Sequence, residues 1–184
     1  MTKLIIALTG ASGANYSLDL LKALKKLKVE THVIVSDWAK KVMALETDFG
    51  AKEIESLATQ VYDNKDLAAA LASSSFLVDG MIIIPCTVKT ASNIAHADCS
   101  DLITRAADNM LKTKKKLAIC LRETPLSPPC LKNLYELSLS GAIVFPLSPG
   151  FYHQPKGLKD LSAFITGKLL DLFAIENKEF KRWE

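Results

Sequence analysis

The sequence predicts an α/β fold built on a mainly parallel sheet with helices on both faces. Three observations predict it. Short, continuous apolar runs recur at residues 4–8, 81–84 and 117–121, as expected of strands covered on both sides. Stretches with helical apolar spacing alternate with those runs along the chain. Each run also ends in small or polar residues, the pattern of a sheet whose carboxyl edge carries ligand-binding loops.

Leu4, Ile5, Ile6 and Leu8 form the first strand, which breaks at Thr9 into the turn Gly10-Ala11-Ser12-Gly13. Ser17, Leu20, Leu21, Leu24 and Leu27 then recur at helical spacing, so the turn feeds an amphipathic helix. In such a unit Gly10 and Gly13 allow close backbone approach, Ser12 offers a hydroxyl, and the helix N-terminus presents free N–H groups to an anion. The motif is G-x-x-G. It lacks the third glycine of the dinucleotide fingerprint and the Gly-Lys-Ser/Thr of a P-loop, so alone it reads equally as a ligand-free turn.

A second strand at residues 31–35 ends at Ser36-Asp37 and leads into a helix through Ala39, Val42, Met43 and Glu46. Ile54, Leu57 and Ala58 predict a short helix within residues 51–62, and residues 64–72 another. The strand at 81–84 stops at Pro85-Cys86, ahead of Thr87-Val88-Lys89-Thr90. A long helix follows from Ser100, its N-cap, to about Lys115. The strand at 117–121 delivers Arg122-Glu123, and Ser127-Pro128-Pro129 opens a helix that Gly141 closes. A last strand at 142–145 runs into residues 146–152, and a last helix covers 159–174. The result is the three-layer arrangement of Rossmann- and flavodoxin-like proteins.

A length of 184 residues fits one well-packed domain. With 49% apolar and 23% charged residues the composition is globular, and a net charge of +3 with interleaved signs does not call for nucleic acid. No run reaches the length needed to span a bilayer, which predicts a soluble, cytoplasmic protein. The four cysteines form no C-x-x-C pair and read as reduced thiols. His32, His96 and His153 have no ligand spacing with each other or with acids, so no metal site is expected.

Five segments thus bring hydroxyls, cations, one carboxylate and aromatics to one sheet edge. Arg122 suits bidentate phosphate binding, and Glu123 beside a second anion would have its pKa raised and act as an acid. Arg105, Asp108 or Asn109, and Lys112 share one helical face, either as a solvated stripe or as a grip on an anion or a neighbouring subunit. Tyr152, Lys168 and the tail residue Trp183 read as surface residues or, for Trp183, as packing between subunits.

The series GASGA, VSDWA with Glu46 behind it, PCTVKT, RAADNMLK, RETPL, and PGFYHQP with Gly167-Lys168 resembles the UbiX-type flavin prenyltransferases, in order over nearly the whole chain. The resemblance implies one flavin-binding domain over residues 1–184. It implies metal-independent transfer of a dimethylallyl group from dimethylallyl monophosphate to N5 and C6 of reduced FMN, giving prenylated FMN for a UbiD-type decarboxylase. Gly10, Ala11, Ser12, Ser36, Thr87, Val88, Lys89, Thr90 and Arg122 match flavin-binding positions. Arg105, Lys112, Tyr152, Lys168 and Trp183 match prenyl-phosphate positions, and Glu123, Ser12, Glu46 and Lys112 are the implied catalytic residues. A homo-oligomer, typically a dodecamer, is implied too. The chemistry agrees, because cations and a Tyr152 hydroxyl would stabilise the phosphate leaving from an allylic carbon.

The chain departs from the family pattern at Cys130, where a histidine is usual, at Ala97, where a glycine is usual, and at Leu147 and Gly150. Rival readings are an FMN-dependent cysteine-type decarboxylase, a non-catalytic flavin carrier, and a nicotinamide-dependent reductase. The first carries a PASANT-like motif and an early histidine where this chain has PCTVKT and Asn15. The second needs no second anion site, and the third lacks its glycine fingerprint.

Overall fold

A computed structural model describes residues 2–183. Six strands form one all-parallel sheet: β1 (Lys3–Leu8), β2 (Glu30–Val35), β3 (Gln60–Tyr62), β4 (Gly80–Cys86), β5 (Lys116–Leu121) and β6 (Ile143–Pro146). Their order is β3-β2-β1-β4-β5-β6. Connection direction reverses between β1 and β4, and that reversal opens a crevice at the carboxyl ends of the two strands. The helices are α1 (Ala14–Lys26), α2 (Asp37–Glu46), α3 (Ala51–Leu57), α4 (Val88–Ala95), α5 (Leu102–Lys112), α6 (Pro128–Leu139) and α7 (Leu158–Leu172).

Alternation along β1 sorts the helices into two layers. Leu4, Ile6 and Leu8 face a core shared with α1, α2, α3 and α7, while Ile5 and Ala7 face a second core with α4, α5 and α6. Both faces are dry, which is why the strands read as unbroken apolar runs. Among the described residues, no helix is long and apolar enough to cross a membrane.

Several expected elements change. Residues 64–72 form turns and a single 3-10 turn at Ala70–Ala72 instead of a helix. The Asp63 and Asp66 carboxylates accept from the Lys65 and Ala68 N–H groups at 3.0 and 2.9 Å, local bonds that compete with helix formation. The helix expected within 51–62 ends at Leu57, and residues 60–62 become edge strand β3, pairing with β2. The N-cap of α5 is Asp101, not Ser100: Asp101 and Thr104 cap each other's backbone N–H groups. Residues 88–95, of which the sequence marked only the polar start after β4, form α4 under a Thr87 cap.

Candidate active site

Helices α1, α2 and α4 start at the crevice and aim their N-termini across it. Thr9 joins the two central turns. Its Oγ1 donates to the Pro85 carbonyl at 2.8 Å and accepts from the Thr87 N–H at 2.9 Å. Ser17 Oγ donates to the Ile84 carbonyl at 2.7 Å and pins α1 against the end of β4. Ser36 and Thr87 cap α2 and α4, accepting from Ala39 and Thr90 N–H groups at 3.1 Å each. Gly13, at φ +105°, turns the chain into α1 through a backbone region that favours glycine.

A cavity of about 350 Å³ opens between these turns. Thr9, Gly10, Ser36 and Trp38 line one side, and Thr87, Val88, Lys89 and Thr90 another. Asp37, Asn64, Asp101 and Ile103 complete the wall. Asn64 satisfies two free N–H groups of α5: its carbonyl accepts from Leu102 at 2.8 Å and its Oδ1 from Ile103 at 3.0 Å. Next to it, Lys65 Nζ pairs with Asp37 Oδ2 at 2.7 Å, and that hydrogen bond holds the Asp37 carboxyl below its ordinary value.

Ala11 is buried and Ser12 half-buried in the first turn, and the N–H of Gly13 donates to Glu46 Oε2 at 3.0 Å. Arg122 lies just past β5, with its N–H on the Cys86 carbonyl at 3.2 Å and its Nε buried without a partner. A buried donor left open at the carboxyl edge, next to the end of β4 that leads into α4, fits a ligand rich in acceptors, such as a flavin nucleotide with its ring carbonyls and phosphate. Glu123 is exposed, and its Oε1 accepts from the Thr124 N–H at 3.3 Å. Burial, then the neighbouring Glu123 charge, pushes the Cys130 thiol up. Burial likewise raises Cys86 and Cys120, which stay protonated and unreactive.

Ala11, Ser12, Glu46, Arg122 and Glu123 are not among the residues lining this cavity, and neither are the other expected residues. Arg105 and Lys112 lie on α5, where Lys112 Nζ pairs with Asp108 and Asn109 points inward to the Leu71 carbonyl. Tyr152, Lys168 and Trp183 belong to the opposite layer. There the Tyr152 ring meets Trp183 edge-on at 5.2 Å and Phe164 at 5.7 Å. Lys168 Nζ lies 5.7 and 5.5 Å from the Phe164 and Phe180 ring centres. Arg182 anchors the tail through two bonds to Asp171 at 2.7 and 2.8 Å, and Gly167 leaves room for Phe180 to lie on α7.

Of the nine residues expected at a flavin, Gly10, Ser36, Thr87, Val88, Lys89 and Thr90 line the cavity while Ala11, Ser12 and Arg122 do not, and the residues expected at a prenyl phosphate divide between opposite faces of the sheet. Sequence reasoning missed Thr9, Trp38 and Asn64 as cavity residues. The Asp63-Asn64-Lys65-Asp66 run is turn chemistry and was the available signal for Asn64. Among the described residues, no group of three or more His, Cys, Asp or Glu side chains is placed to hold a metal ion.

Residues 1–150 match the Flavoprotein family. Flavin prenyltransferase UbiX of Escherichia coli strain K12 is 41% identical over 187 residues, covering 100% of this chain and 99% of its own. The crystal structure of AnUbiX (PadA1) in complex with FMN and dimethylallyl pyrophosphate superposes with a TM-score of 0.98 at 41% identity, covering 100% of this chain and 97% of that one. A dodecameric FMN-dependent UbiX-like decarboxylase from Escherichia coli O157:H7 gives a TM-score of 0.97 at 40% identity, with 100% of both chains covered. With the cavity at the β1/β4 crevice and this likeness along its full length, the chain belongs to the flavoprotein family, among the UbiX-type flavin prenyltransferases.

Proposed function

We propose that this chain is a flavin prenyltransferase, joining a dimethylallyl group to N5 and C6 of reduced FMN, with the 184 residues acting as one flavin-binding domain. The observation that carries the reading is the crevice at β1 and β4. Three helix N-termini and a cavity of about 350 Å³ meet there, with the buried, unpartnered Arg122 Nε at the neighbouring end of β5, in a chain that matches flavin prenyltransferases along its length. Gly10, Ala11, Ser12, Ser36, Thr87, Val88, Lys89, Thr90 and Arg122 hold the flavin in this reading. The flavin supplies the nucleophilic ring atoms.

The donor is dimethylallyl monophosphate; the related AnUbiX structure holds the pyrophosphate. The allylic C–O bond breaks as the C–N5 bond forms and N5 loses its proton; a proton then adds to the prenyl double bond, its tertiary carbon bonds C6 to close a fourth ring, and the C6 proton leaves. Arg105, Lys112 and Lys168 with the Tyr152 hydroxyl bind the departing phosphate and stabilise its growing charge. Glu123 gives that phosphate a proton, and the released phosphate takes the proton lost from the ring. Trp183 covers the allyl group and keeps water from the developing cation. Glu46 and Ser12 shape the turn beneath the flavin.

Arg105 and Lys112 lie on the opposite layer from Tyr152, Lys168 and Trp183, so association of copies is what unites the prenyl-phosphate set. Support for association comes from the related dodecamer and from α6, where Leu131, Tyr135 and Leu139 expose 52, 62 and 66% of their surface along one helical stripe. The product goes to a UbiD-type decarboxylase in the cytoplasm. The test is reconstitution: the reaction mixture, filtered free of this protein, is added to a UbiD-type apo-decarboxylase. Restored decarboxylation supports the assignment, and a decarboxylase that stays inactive contradicts it.

A further inference from the structure

Trp38 is the second residue of α2 and one of the cavity-lining residues, yet 67% of its surface is exposed and neither core cluster includes it. Its position is nonetheless fixed. A Cβ on Gly10 would come within 2.6 Å of Trp38 Cβ, so the first turn passes directly beneath the root of the indole. One helical turn on, Lys41 Nζ lies 4.3 Å from the ring centre and occupies one indole face. An aromatic group of this size, held at the mouth of a cavity and left uncovered, recovers hydrophobic free energy once a planar ligand lies against it.

We propose that Trp38 is a flavin-contacting residue, its indole packed against FMN bound in this cavity with the Lys41 ammonium behind it. The inference rests on the flavin reading of the cavity given above and adds a residue to it. Gly10 then has two duties: it lets the backbone approach the ligand and makes room for the side chain that covers it. The competing explanation for an exposed tryptophan is contact with a second copy of the chain.

Both are tested on the full chain in its native assembly by titrating Trp38→Phe, Trp38→Leu and Trp38→Ala with FMN, recording the visible band of the bound flavin and the size of the assembly. Trp38→Ala and Trp38→Leu raise the Kd for FMN roughly tenfold and shift the flavin band, while Trp38→Phe stays within about threefold of wild type. Trp38→Leu keeps bulk without an aromatic face and so separates stacking from space filling. An unchanged Kd and band in Trp38→Leu overturns the proposal. Dissociation of the assembly with the wild-type band retained also overturns it and assigns Trp38 to a subunit contact. A wild-type chain that binds no FMN overturns the flavin reading as well, whereas failure confined to Trp38 leaves that reading standing.

Discussion

The carboxylate of Glu46, at the last residue of α2, accepts a hydrogen bond from the backbone N–H of Gly13 at 3.0 Å. This ties the end of one helix to the entry of another and places a negative charge beside the positive end of α1. Gly13 holds φ +105°, so its turn depends on outside support to keep one geometry. Glu46→Ala removes the acceptor, and FMN binding weakens about fivefold by titration calorimetry. Glu46→Gln keeps an acceptor oxygen and loses less.

Glu123 follows Arg122 at the carboxyl edge, exposed and bonded only to its neighbour Thr124 among the described residues. A carboxyl group in that position is free to turn toward a phosphate. Glu123→Gln slows prenyl transfer about 100-fold or more in single-turnover experiments, the usual size of a lost general acid, while FMN affinity stays near wild type. Unchanged turnover removes Glu123 from the proton role.

The tail that carries Trp183 is held by the Asp171–Arg182 pair, and the Arg182 hydrogen bonds lower the Asp171 pKa. A lowered carboxyl pKa means this contribution is complete above the ordinary aspartate value of about 3.9 and is lost as pH falls through the lower folded value. Trp183 fluorescence, read in Trp38→Phe protein, is therefore flat from neutral pH down to about 4 and changes only below it. Arg182→Met frees the tail at neutral pH and gives the low-pH signal there.

Ala97 sits at φ +55° just past α4. Its N–H bonds the Ile94 carbonyl at 3.1 Å, and the Asp98 N–H bonds the Asn93 carbonyl at 2.9 Å, a helix-ending pattern whose left-handed position favours glycine. Ala97→Gly relieves that strain and stabilises the protein by about 0.5–1 kcal/mol, raising Tm by roughly 1–4 °C in a thermal melt. A lower Tm contradicts this account of the position.

How far the sequence could be read follows from what each element depends on. Strands β1, β4 and β5 are dry on both faces and announce themselves as apolar runs, whereas β3 has an exposed three-residue pattern that only its pairing with β2 makes a strand. Helix α1 shows its period, but residues 63–68 lose theirs to aspartate side chains bonding the local backbone. The turns around Gly10, Ser36 and Thr87 were legible because turn chemistry is local. Trp38 and Asn64 were not, because their place on the cavity wall depends on how α2 and α5 meet across the sheet edge. The same holds for the separation of Arg105 and Lys112 from Tyr152, Lys168 and Trp183. Sequence order places residues at an edge, but only the alternation of β1 between two cores shows which layer each helix joins.

Prenyl transfer is decided by an anaerobic incubation of the purified protein with reduced FMN and dimethylallyl monophosphate, followed by mass spectrometry of the extracted flavin. The expected result is a flavin heavier by one dimethylallyl unit, formed without added metal and not formed when either reactant is left out. Flavin that stays bound but unmodified would contradict it and return the chain to the flavin-carrier or cysteine-decarboxylase reading.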